Sequence, residues 1–131
     1  MVLITTFISL FTTIMTKKII VIEDDNDILD LMQYILEDEG YQVIPSNRVE
    51  PLSTIIDHQP NLILLDDRLR NGFGRTLCAE IKSRPDTVHI PVVLVSATRD
   101  LAKVALDSKA DCYLAKPFDI SDLISMVKQY A

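Results

Sequence analysis

Cysteine is scarce: the chain of 131 residues carries two, Cys78 and Cys112, far apart and each in an apolar segment. No CxxC pair and no Cys/His ligand spacing occurs, which argues against a zinc site. The two thiols read as buried and unpaired, in a reducing compartment. Positive charge is in the minority, with 13 Lys and Arg against 19 Asp and Glu and a formal net charge of −6. A nucleic-acid partner needs a basic face for its phosphates, so direct nucleic-acid binding is not expected, whereas a basic protein partner remains open. Linkers, repeats and low-complexity segments are also missing. The length fits one domain with one core, and 48% apolar residues are enough to build it.

Charge is absent altogether from "MVLITTFISLFTTIMT", residues 1–16. This stretch lacks the basic start and small-residue cleavage site of a signal peptide. It is shorter than the roughly 20 residues of a spanning helix. Leu3, Ile4, Phe7, Ile8, Phe11, Ile14 and Met15 recur at helical spacing, with Thr and Ser on the other side. Three readings stay open: a native start at Met15, an extra amphipathic helix packing on this domain or a second copy, and weak membrane contact. The expected organisation is an extension over 1–16 and one domain over 17–131, a monomer or weak homodimer.

From Lys17 onward strand and helix patterns alternate. "KIIVIE", "YQVIP", "NLILLD", "IPVVLVSA" and "CYLAK" predict five strands. Between and after them lie helical patterns. In "DILDLMQYILEDEG", Ile28, Leu31, Met32, Ile35 and Leu36 form a stripe and Gly40 a stop. "VEPLSTIIDHQ" has Pro51 near its start. "RTLCAEIKSR" follows a glycine-containing loop, "RNGFG". "DLAKVALDSK" comes next. "DISDLISMVKQYA" closes the chain, with Asp119 as N-cap and Asp122 three residues on, as in a capping box. This rhythm implies an α/β fold, a parallel sheet covered on both faces. Met32 and Met126 fall on apolar stripes and read as core. His58 and His89 flank prolines in expected loops and read as surface.

Ligands of open α/β sheets bind beyond the carboxyl ends of the strands. There the first strand ends in Glu23, Asp24 and Asp25, the third in Asp66 and Asp67, the fourth in Ser96, and the fifth in Lys116 and Pro117. Crowded carboxylates resist joint ionisation unless a cation intervenes. Mg²⁺ suits a few carboxylates, water and a phosphate oxygen. A carboxylate can itself attack phosphorus. If the third strand continues, Asp66 and Asp67 point to opposite sides.

"VIEDD", "LLDDRL" with Gly74 eight residues after Asp66, "VLVSA" and "CYLAKPF" together resemble the receiver domain of bacterial response regulators, over about Lys17 to Ala131. The resemblance implies a flavodoxin-like doubly wound five-stranded parallel sheet of order 2-1-3-4-5 with helices on both faces. It implies that Asp66 is the phosphoacceptor, with Lys116 and Ser96 completing the reactive set. Mg²⁺ would be bound by Asp24, Asp66 and the backbone carbonyl of Arg68, with Glu23 acting through water. Ser96 and Tyr113 match switch positions. Arg68 and Thr98 match positions that tune the lifetime of the phosphoryl group. The Lys116-Pro117 bond is expected to be cis. Asp25 falls outside the metal's first ligands. Asp67 stands where an apolar residue is usual and is expected to be a solvated or N-cap-like acid. Arg70 replaces a common proline, and Lys109 a common glycine at a turn that favours a left-handed backbone.

The implied function is that of a cytoplasmic phosphorelay receiver. A histidine kinase or histidine phosphotransfer protein phosphorylates Asp66. The face of the fourth helix, fifth strand and fifth helix then selects a downstream protein. Such a protein is not an enzyme beyond its own phosphorylation and dephosphorylation. A receiver belonging to a longer regulator or hybrid kinase, a phosphorylation-independent interaction module and a metal-dependent phosphatase are the alternatives.

Overall fold

A computed structural model of the chain describes residues 16–131. The readings of the extension, apart from Thr16, lie outside the described residues. Five parallel strands alternate with five helices: β1 (Lys18–Ile22), α1 (Asn26–Asp38), β2 (Gln42–Ser46), α2 (Leu52–His58), β3 (Leu62–Leu65), α3 (Gly74–Lys82), β4 (Val92–Ser96), α4 (Leu101–Ser108), β5 (Cys112–Ala115) and α5 (Ile120–Tyr130). The sheet order is β2-β1-β3-β4-β5, as expected for a flavodoxin-like fold. The order reverses direction at β1 and β3, so a crevice opens at their carboxyl ends.

Side chains along a strand alternate between faces, and each face meets different helices. Ile19, Val21, Leu62, Leu64, Val93 and Val95 pack with α1 and α5 through Leu29, Met32, Leu36, Leu123 and Val127. Ile20, Ile22, Ile63, Leu65, Val92 and Leu94 pack with α2, α3 and α4 through Ile55, Leu77, Ile81 and Leu101. Strands buried on both sides explain the near-continuous apolar runs. Met32 and Met126 lie in the core, as their spacing predicts.

Several local expectations change in the structure. In α1 the inward stripe uses Leu29 in place of Leu31, which is 49% exposed. Asp25 sets this register by capping the helix: its carboxylate accepts the backbone N–H of Asp27 and Ile28. Asp119 is the N-cap of α5 but makes no side-chain cap bond, and its backbone carbonyl accepts the Asp122 N–H instead. Cys112 is only half-buried, whereas Cys78 is fully buried. His58 belongs to the last turn of α2, inside the helical pattern over 49–59, and not to a loop. Within "RNGFG", Gly72–Phe73 pairs antiparallel with Arg68–Leu69 in a small hairpin. Its turn residue Asn71 exchanges two hydrogen bonds with the Val49 backbone, bracing the loop that carries Arg70.

Lys109 ends α4 at φ 63°, ψ 30°, the left-handed conformation expected where the family commonly has glycine. A side chain there costs about 1 kcal/mol. Lys109→Gly is therefore expected to raise the unfolding free energy by about 0.5–1 kcal/mol in urea titration. A loss of stability would contradict this account of the turn.

Candidate functional site: an acidic crevice with one lysine

The ends of β1, β3, β4 and β5 bring Glu23, Asp24, Asp66, Ser96 and Lys116 together. Carboxylate oxygens of Glu23, Asp24 and Asp66 all lie within 4.8 Å of one another. The Lys116 ammonium donates to Glu23 Oε2 at 2.5 Å and to Asp66 Oδ2 at 3.0 Å. Asp66 Oδ1 accepts the Asp67 backbone N–H at 2.7 Å. Asp24, Asp66, Arg68, Ser96, Thr98 and Lys116 line one open cleft of about 380 Å³. The Lys116-Pro117 bond is cis, as expected. Tyr113 stands apart from this cleft on β5 and is 45% exposed.

Burial pushes the Glu23 carboxyl up; the Lys116 hydrogen bond draws it down and the Asp66 charge pushes it up again. The balance lies at about 7, against an ordinary 4.5. For Lys116, burial disfavours the ammonium, but its bonds to Glu23 and Asp66 outweigh that and raise the pKa above its ordinary value. Three carboxylates facing one ammonium leave two negative charges when all are ionised. That residue of charge, presented by hard oxygen donors, fits a divalent cation such as Mg²⁺.

Asp67 corrects the expectation of a solvated acid: its side chain is 0% exposed. The N-cap-like part of that reading is nearer the structure. Oδ1 accepts the Arg75 backbone N–H at 3.2 Å in the first turn of α3, together with Arg75 Nε at 3.0 Å. Oδ2 accepts Arg75 Nη2 at 2.5 Å and the Thr98 hydroxyl at 3.0 Å. Four donors thus satisfy the carboxylate. Burial alone would raise its pKa, yet the bonds from Arg75 and Thr98 hold it below the ordinary carboxylate value. Arg75 was not among the expected site residues. The available clue was parity, because Asp67 continues the Ile63–Leu65 face that α3 covers.

A doubly wound sheet whose carboxyl edge gathers carboxylates, a hydroxyl and a lysine is the architecture of a receiver-type α/β domain. A family profile described as response regulator receiver domain matches residues 19–128, and the chain belongs to that family. Among solved structures it is similar to a receiver domain protein from Methanospirillum hungatei JF-1, with 32% identity, 87% of this chain and 92% of that chain covered, and TM-score 0.78. The receiver domain of a signal transduction histidine kinase from Syntrophus aciditrophicus is 28% identical over 88% of this chain and 89% of that one, with TM-score 0.80. The BeF3-activated N-terminal receiver domain of RstA from Klebsiella pneumoniae is 25% identical over 87% and 97%, with TM-score 0.77. This protein is a two-component response regulator receiver domain by family and fold. No helix among the described residues is long and apolar enough to cross a membrane.

Proposed function

We propose that this receiver accepts a phosphoryl group on Asp66 from a phosphohistidine of a histidine kinase or histidine phosphotransfer protein, in the cytoplasm. The observation that carries this reading is the Lys116 ammonium shared between Glu23 and Asp66 beside a third carboxylate, Asp24. An Asp66 carboxylate oxygen attacks phosphorus in line, and the phosphorus–nitrogen bond to the donor imidazole breaks. Lys116 stays with the charge as it spreads onto the phosphoryl oxygens. Asp24, Asp66 and the Arg68 carbonyl would hold Mg²⁺, with Glu23 acting through water. The ion would supply the positive charge that lets a dianionic group approach three carboxylates. The protein catalyses only its own phosphorylation and dephosphorylation. Arg68 and Thr98, at the cleft wall, govern access of the hydrolytic water.

Phosphorylation draws the Ser96 hydroxyl to the new oxygens, Tyr113 turns inward from its exposed place on β5, and the α4-β5-α5 face changes shape for a downstream protein. In the structure this face exposes Leu106, Tyr113 and Ile120. The same chemistry serves a receiver acting alone or within a longer chain.

Intact mass after incubation with acetyl phosphate and Mg²⁺ tests the reading. Wild type and Asp67→Asn are expected to gain one phosphoryl group, and Asp66→Asn none. If neither acetyl phosphate nor a range of phosphohistidine donors changes the wild-type mass, a phosphorylation-independent interaction module is the better account.

A further inference from the structure

The phosphoacceptor reading uses Ser96 as a donor to the phosphoryl group, but the Ser96 hydroxyl proton already has a destination. Ser96 Oγ donates to Thr98 Oγ1 at 3.0 Å, and Thr98 Oγ1 donates to Asp67 Oδ2 at 3.0 Å. Each hydroxyl has one proton. The Asp67 carboxylate is paired with the Arg75 guanidinium and acts only as an acceptor, so it fixes the direction of the whole chain. Thr98 must spend its proton on Asp67, which leaves its lone pairs to take the proton of Ser96. The Thr98 backbone N–H closes the arrangement by donating to Ser96 Oγ at 3.2 Å.

We propose that Asp67 is a positioning residue that holds Ser96 in the resting arrangement through Thr98. For Ser96 to turn its proton to a group on Asp66, the bond to Thr98 must break. Asp67 keeps Thr98 from offering its own proton in exchange. The energetic cost of switching is therefore set in part by a carboxylate that never touches the phosphoryl group. Position supports this assignment. Asp66 meets Lys116 while Asp67 meets Arg75 and Thr98, so adjacent acids serve the acceptor site and the latch separately. Two residues after Thr98, Asp100 starts α4 at φ 56°, ψ 40°, a left-handed conformation uncommon for a side-chain-bearing residue. The β4–α4 loop is thus fixed at Thr98 two residues before a backbone position that a rearrangement can relieve.

The test rests on the phosphoacceptor reading but can fail separately from it. The probe is fluoroberyllate, a phosphoryl mimic, titrated with Mg²⁺ and followed by fluorine NMR. Asp67→Leu removes the terminal acceptor, and Thr98→Val removes the bridging hydroxyl. Each is expected to tighten fluoroberyllate binding about three- to tenfold, the worth of one net hydrogen bond. In the double variant the two effects do not add, because both act on the same bond to Ser96. A role confined to packing α3 would leave the Asp67→Leu effect unchanged in the Thr98→Val background, and that result overturns the inference. Unchanged or weaker binding by Asp67→Leu overturns it as well. Should Asp67→Leu fail to fold, unaltered affinity of Thr98→Val is decisive against the latch. Fluoroberyllate that does not bind wild type would instead overturn the phosphoacceptor reading, and the latch with it.

Discussion

Gly74→Ala is expected to destabilise the domain by about 3 kcal/mol or more and to slow phosphorylation of Asp66 at the same time. Gly74 opens α3 and donates its N–H to the Asp67 carbonyl at 2.6 Å. A β-carbon there would stand 1.9 Å from the Asp66 carbonyl oxygen and 2.9 Å from its carbonyl carbon. Both atoms are backbone, so no rotamer change relieves the clash. Either α3 or the end of β3 must move, and the second movement displaces the acceptor itself. Gly40 is the natural comparison. It sits at φ 96°, and a β-carbon added there would meet nothing within 4 Å, far along the chain from the acceptor loop. Gly40→Ala therefore costs about 1–2 kcal/mol of backbone strain and leaves the phosphorylation rate unchanged. Urea titration and the rate with acetyl phosphate read both effects. Equal rates for Gly74→Ala and wild type would contradict the close approach.

Mg²⁺ binding is expected to weaken by up to about tenfold for each pH unit below about 7. The reason is Glu23, buried beside Asp66 and Lys116 with a pKa of about 7 when no cation is present. Binding a dication favours its ionised form, so below that pH a proton must leave as the ion enters. The sign for stability runs the other way. The folded pKa lies above the unfolded one, so protonated Glu23 stabilises the metal-free fold fully below about 4.5, and that contribution is lost as pH rises through about 7. Chelated protein should thus lose stability across this window while Mg²⁺-loaded protein holds it. Thermal unfolding from about pH 5 to about pH 8, with Mg²⁺ or with a chelator, reads the difference. A Mg²⁺-induced rise in melting temperature that is the same at every pH would contradict the role given to Glu23, and Glu23→Gln should flatten the dependence.

Legibility in the sequence followed the range of the interactions. Strand and helix identities came from local periodicity, and the strand ends could be matched to the family's motifs, so Glu23, Asp24, Asp66, Ser96 and Lys116 were expected where the structure gathers them. The left-handed turn at Lys109 was legible only through the resemblance, which places a common glycine there. Asp67 was not. Its environment depends on Arg75 eight residues away and Thr98 thirty-one residues away, folded onto it by α3 and β4. Strand alternation shows which side Asp67 faces, but only packing decides that the facing side chain is a guanidinium. The α1 register differed for a similar reason. Both Leu29 and Leu31 fit an apolar helix, and the Asp25 cap and the sheet beneath choose Leu29.

Function turns on which of two adjacent carboxylates carries the phosphoryl group. The direct measurement is to phosphorylate wild type with acetyl phosphate and Mg²⁺, reduce the acyl phosphate with borohydride, and locate the altered residue by peptide mass sequencing. The expected result is a single reduced side chain at Asp66 with Asp67 intact. Reduction at Asp67, or at any residue other than Asp66, would contradict the account.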